Sequence, residues 1–186
     1  LAGMLLPALA RAKEKGRATF CLNNMRQLGL SLVLYAHDYN GVFPARADAN
    51  RWPTQLRPNY QELRILQCPN DPPPKTPANQ ANRIVPTDDA HRSFIINGWN
   101  DYFKEVLKLS FEAIGNRSIP ETAIVKPSDT IVFGEKRSGS THYYMDAFEG
   151  NGNETEEVER GRHSGGKPKT KTGSSNYTFA DGSARM

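Results

Sequence analysis

The sequence has little of what marks an enzyme or a metal protein. It holds two cysteines, Cys21 and Cys68, too few for a zinc site built of thiolates alone. Their even number leaves open one disulfide or two free thiols. The four histidines, His37, His91, His142 and His163, are scattered without helical pairing. No Gly-x-Ser-x-Gly, Walker A, Gly-x-Gly-x-x-Gly or His-Glu-x-x-His motif occurs. Lacking a nucleophile–base pair, the chain is expected not to be an enzyme, and no catalytic or cofactor-binding residue is assigned. A strong charge of one sign is also missing: 24 Lys and Arg stand against 20 Asp and Glu, a net +4. Nucleic-acid binders gather basic residues and aromatics on one face. Here the basic residues collect near the N-terminal helix and in a loop with Lys167, Lys169 and Lys171, so no nucleic-acid partner is expected.

A hydrophobic run long enough to span a bilayer is likewise missing. Residues 1–10 carry no charge, but a span needs about 20 apolar residues. No charged region precedes them, as a signal peptide requires. Arg11, Lys13, Lys15 and Arg17 follow, opposed only by Glu14. An apolar run ending in a basic collar is how a helix leaves a bilayer. The segment therefore reads as the lower part of a longer helix; the alternative is an ordinary core helix end. The positive-inside tendency would put the collar in the cytoplasm, so charge alone leaves the side of the head open.

What is present is one long helical pattern followed by loops and short strands. With 186 residues, 37% hydrophobic, 15 Gly and 13 Pro, one domain with many loops and a modest core is expected. A helix is expected over residues 1–40, kinked at Pro7. Cys21, Met25, Leu28, Leu32, Tyr35 and Tyr39 recur at alternating spacings of 4 and 3, an apolar stripe that should pack on a head formed by residues 41–186. Leu30, Val33 and Leu34 broaden the stripe, so the later turns should be buried more fully. Asn40-Gly41 supplies the stop. Trp52-Pro53 begins a short helix, Leu63–Cys68 reads as extended, and residues 101–114 as a short helix. Strands are expected at 93–98, 130–133, 141–148 and 176–180. The order suggests an α+β fold, the long helix packed on a small antiparallel sheet with extensive loops.

Two further features invite a ligand. Residues 146–159 hold six carboxylates, two Asn and no basic residue. That composition suits calcium, but the spacing is not that of an EF-hand, and a solvated acidic loop is the favoured reading. His163-Ser-Gly-Gly and Asp181-Gly182 read as a hairpin and a tight turn. A metal site using His163 and Asp181 would have too few ligands, so no metal ligand is assigned.

Several segments resemble a known family. Leu1-Ala-Gly-Met-Leu-Leu-Pro-Ala-Leu-Ala-Arg-Ala-Lys-Glu-Lys15 resembles the second part of a type IV prepilin-like N-terminal segment. Cys21-Leu-Asn-Asn-Met-Arg-Gln-Leu-Gly29 and Tyr35-Ala-His-Asp-Tyr-Asn-Gly-Val-Phe-Pro44 resemble its continuation in the pseudopilin-like (pseudopilin G-like) proteins of Planctomycetes, Verrucomicrobia and Lentisphaerae. Cys68-Pro-Asn-Asp71 resembles their Cys-Pro-Ser-Asp element, with Asn70 in place of Ser, and Lys126–Glu135 also fits. The C-terminal element is similar to their His, nine residues, Asp-Gly pattern, but 17 residues separate His163 from Asp181 here.

The resemblance implies a pilin-like structural subunit of a type II secretion or type IV pilus-like system. Residues 1–10 would belong to a membrane and assembly segment whose apolar first part, with a leader cut and N-methylated by a prepilin peptidase, precedes Leu1. Partners would be other pilin-like subunits and the inner membrane. The head would lie in the periplasm or on a cell-surface filament. In that compartment Cys21 and Cys68 are expected to pair, with free thiols as the alternative. A competing function is a membrane-tethered binding protein for a glycan, peptide or ion, with a pocket lined by Trp52, Trp99, Tyr143 and Tyr144.

Overall fold

A computed structural model of the chain describes residues 2–73, 86–146, 154–163 and 174–186. The first element, α1, is a 37-residue helix, Ala2–Asp38, that runs on through Pro7. It stops where the sequence turns to Asn40 and Gly41, both at positive φ. The Gly41 N–H reaches back to the Ala36 carbonyl at 2.7 Å, closing the helix end with a left-handed cap.

Short elements follow. Helices α2 (Trp52–Gln55) and α3 (Arg57–Tyr60) each start with a proline in the first turn, where its missing N–H costs nothing. A 3-10 turn spans Leu63–Leu66, where an extended segment was expected. Residues 101–114 form two turns, a π-helix at Tyr102–Val106 and α4 (Phe111–Ile114). A 3-10 turn at Glu121–Ala123 and the short α5 (Glu154–Glu157) complete the helical pieces.

The strands are β1 (Phe94–Asn97), β2 (Ile131–Glu135), β3 (Tyr144–Met145), β4 (Tyr177–Phe179) and β5 (Ala184–Arg185). They form one sheet in the order β3-β1-β2-β4-β5. β1 pairs antiparallel with β2, β2 with β4, and β4 with β5. β3 pairs with β1 in parallel, so the sheet is mixed rather than antiparallel. The fold is α+β, as the sequence predicts. The expected strand to residue 148 shortens to two residues, and its end lies outside the described residues.

The second half of α1 covers this sheet. Cys21, Met25, Leu28, Leu32, Tyr35 and Ala36 are buried, with Trp52, Phe94, Ile96 and Phe133 among their neighbours in one core. Each such large side chain contributes on the order of 2 kcal/mol through area removed from water. The stripe ends sooner than the spacing suggests. Tyr39 is exposed and stacks on Tyr35 at 4.2 Å. Leu30, at 59% exposed, and Val33 and Leu34, near 40%, face outward. The expected broadening of the buried arc is therefore corrected. The small residues Gly29, Ser31 and Ala36 join Leu32 and Tyr35 on the buried face, and Leu30 and Leu34 turn away.

Candidate functional site

Segments that lie far apart in the chain meet in one place. Cys21 on α1 and Cys68, just after the 3-10 turn, are joined by a disulfide with Cα atoms 5.1 Å apart. Glu135 ends β2. It lies two residues after Phe133, so the strand's period of two places both toward α1. His163 sits in a turn beside Ser174, its N–H donating to the Ser174 carbonyl at 2.9 Å. That contact makes the expected hairpin partners neighbours, though Arg162 and His163 are not in a strand.

The His163 ring is fully enclosed. Its Nε2 lies 2.8 Å from Glu135 Oε1 and 3.8 Å from Cys68 Sγ. Its Nδ1 lies 3.3 Å from Asn70 Nδ2 and 3.8 Å from a Glu14 carboxylate oxygen. The neutral tautomer that satisfies the carboxylate and the amide donor carries its proton on Nε2. Asn70 is the hub on this side. Its amide nitrogen contacts Glu14 of α1, and its oxygen accepts from Arg17 Nη1 at 3.4 Å. Glu135 is held from the other side: the Asn176 N–H donates to Oε2 at 3.2 Å and Asn176 Nδ2 to Oε1 at 3.4 Å.

A second buried pair adjoins the first. Arg162 Nη1 lies 3.2 Å from Asp71 Oδ1, and both side chains are almost completely enclosed. The Ser138 hydroxyl donates to the same Asp71 oxygen at 2.6 Å. Burial alone would push the Asp71 carboxyl up, but Arg162, the Ser138 and Ser93 hydroxyls and Lys136 outweigh it and hold its pKa below the usual value. Burial is also the main reason the neighbouring Lys136 ammonium is pushed down to about 8.

The structure separates His163 from Asp181. The Asp181 carboxylate is exposed and accepts from the Ser183 N–H at 2.9 Å within the β4–β5 turn. That turn docks on α1, where Gly182 meets Gly29. The other candidates resolve similarly. Asp146 forms an ion pair with Arg46, while residues 147–153 of the acidic run considered for calcium lie outside the described residues, as do Lys167, Lys169 and Lys171. Trp52, Trp99 and Tyr144 are core residues, and Trp52 Nε1 donates to the Tyr143 carbonyl at 3.1 Å. A one-layer sheet under a single helix needs its largest aromatics to fill the interior, and Trp99 in addition lines an open groove with Tyr102, Ile119 and Ile124. Another groove, of about 300 Å³, lies on the sheet face away from α1, between Ile131, Met145, Val158 and Tyr177.

Sequence reasoning missed Glu135 and Arg162. The signal for Glu135 was available: a carboxylate two places beyond Phe133 in a buried strand must face the core and needs a partner there.

The class defined by these features is an α+β protein whose long N-terminal helix is cross-linked to its head beside a buried Glu–His pair. A family model described as "Protein of unknown function (DUF1559)" matches residues 10–161, and the chain belongs to that family. No curated protein and no solved structure matches the chain. Among the described residues no helix is long and apolar enough to cross a membrane.

Proposed function

We propose that the chain is a pilin-like (pseudopilin) structural subunit, assembling through α1 in a type II secretion or type IV pilus-like system. One observation carries this reading. The helix has two halves with different surroundings: from Ala18 onward it is part of the head, whereas residues 5–13 are exposed all round. At 1.5 Å per residue, residues 5–17 extend about 20 Å. Leu5, Leu6 and Leu9 on this part are about two-thirds exposed. An exposed apolar helix end with no partner among the described residues marks a surface that something else covers. Phe20, Leu30, Val33 and Leu34 extend the exposed apolar surface along the head.

In this reading the covering groups are neighbouring pilin-like subunits and, through the apolar segment that the resemblance places ahead of Leu1, the inner membrane. The head faces the periplasm or the outside of a filament, and a prepilin peptidase processes the precursor. The head's work is structural rather than catalytic. The test is the coding sequence upstream of Leu1 together with the mass of the mature N-terminal peptide. A Gly-Phe-Thr-Leu-Ile-Glu-like junction, cleaved and N-methylated, is expected. A start codon just ahead of Leu1 overturns the reading.

A further inference from the structure

The disulfide leaves part of the chemistry around it unused. One ligand atom each from Cys21, Cys68, Glu135 and His163 lie within 4.8 Å of one another, and all four residues are buried. We propose that, when the Cys21–Cys68 bond is reduced, these four side chains bind one Zn2+ in a closed site of two thiolates, one imidazole and one carboxylate. The disulfide and the metal are then alternative occupants of one place.

The donor set and its spacing support this. Zinc takes thiolate, imidazole and carboxylate ligands at about 2.0–2.3 Å in a tetrahedron, which sets donor–donor separations of roughly 3.3–3.8 Å. His163 Nε2 already stands 3.8 Å from Cys68 Sγ and 2.8 Å from Glu135 Oε1. Once the sulfur–sulfur bond opens, small side-chain rotations complete the figure. Calcium, with its demand for six or more oxygens, has no match here.

The surroundings also suit a metal. A ligating imidazole donates its other N–H to a partner, and a Glu14 carboxylate oxygen stands 3.8 Å from Nδ1 to accept it once the Asn70 amide nitrogen, 3.3 Å away, turns aside. Asn176 holds the Glu135 carboxylate with two N–H groups. Two thiolates, one carboxylate and Zn2+ leave one net negative charge. Arg162, which it would share with Asp71, faces that charge: its Nε lies 4.0 Å from Glu135 Oε2, buried and without a hydrogen-bond partner.

The chemistry balances. A dithiol reductant gives two electrons and two protons to the disulfide and ends as its own cyclic disulfide. Cys21 and Cys68 become thiols, Zn2+ displaces one proton from each, and the His163 proton moves from Nε2, which takes the metal, to Nδ1. The metal then ties α1 to the segment at Cys68, as the disulfide does, and adds β2 and the His163 turn. This inference does not depend on the filament reading.

The experiment uses the 186-residue chain. It is reduced in denaturant with a phosphine, refolded without oxygen with or without Zn2+, and freed of excess metal. The expected result is one zinc per reduced chain, none per oxidised chain, and a melting temperature that zinc raises only in the reduced protein. Co2+ in place of zinc should show thiolate charge-transfer absorption and the intense visible bands of a tetrahedral site. His163→Ala and Glu135→Gln should each lower zinc affinity at least tenfold while both thiols remain. Equal zinc uptake by the oxidised chain, a cobalt spectrum without thiolate absorption, or unchanged affinity in folded His163→Ala overturns the proposal. If the variants do not fold, the wild-type cobalt spectrum and the redox dependence decide it alone.

Discussion

Gly29, about three-quarters of the way along α1, lies directly against Gly182 in the β4–β5 turn: a Cβ built on Gly29 would stand 2.5 Å from the Gly182 carbonyl oxygen. Thr178 reinforces the contact, its hydroxyl donating to the Met25 carbonyl at 3.0 Å. The Asp-Gly turn therefore acts as a docking point for the helix, and Gly182, at φ 81°, also satisfies the turn's left-handed backbone.

Gly29→Ala is expected to destabilise the fold by about 1–3 kcal/mol through overpacking against a backbone oxygen that cannot move freely. Gly16→Ala is the control. Its Cβ would meet nothing within 4 Å, and alanine should stabilise that exposed helical turn by up to about 1 kcal/mol. Urea denaturation of the two variants should shift the midpoint in opposite directions. A neutral Gly29→Ala would mean that the helix and turn are not in contact.

Asp71 and Arg162 form an enclosed pair, so removing one charge strands the other. Asp71→Asn should cost about 3–5 kcal/mol at neutral pH. The wild-type pair also carries a pH signature. The folded-state pKa of Asp71 lies below its unfolded value, which is about 3.9. As pH drops below that, the unfolded chain takes up the proton first, and stability is lost as pH falls through the folded-state value. The stability–pH curve of Asp71→Asn should therefore be flatter than wild type between about pH 5 and 3. Parallel curves would show that the carboxylate gains nothing from its partners.

The Cys21–Cys68 bond joins residues 47 apart in the sequence. On the chain-entropy account it contributes roughly 4 kcal/mol at most. The Cys21→Ser, Cys68→Ser double variant should lose a comparable amount in metal-free denaturant titrations. Intact-mass measurement after alkylation without reductant should find no modified thiol in the wild type. Two alkylated thiols would instead show that the native chain holds them free.

Leu32 and Leu30 test the division of α1 into a buried and an outward face. Leu32 is wholly buried, and Leu32→Ala should cost about 2–5 kcal/mol. Leu30→Glu and Leu34→Glu should change stability by no more than about 0.5 kcal/mol. In the proposed filament the same glutamates should abolish co-assembly, read as loss of the subunit from sheared surface fractions. Normal assembly of the double glutamate variant would exclude this face as a contact.

Much of the architecture was legible beforehand because it rests on local periodicity. The spacing of Cys21, Met25, Leu28 and Leu32 marks a helix with one buried face. Thr130 to Phe133 marks a buried strand. Asn40-Gly41 marks a helix end, whose left-handed geometry few other residues accept. The parallel pairing of β3 with β1 was not legible, because strand direction depends on where residues 98–143 carry the chain. The outward turn of Leu30, Val33 and Leu34 was also hidden. Periodicity finds apolar residues, but only packing decides which of them the available sheet can cover.

The sequence by itself determined the long helix, its unusual apolar start, the short strands and the turn chemistry at Asp181-Gly182, since each is a property of neighbouring residues. Tertiary structure alone decided that Cys21, Cys68, Glu135 and His163 share one enclosed volume and that Gly29 meets Gly182. Those contacts join residues far apart in the chain. They exist because one helix laid across one small sheet brings its turns and strand ends together.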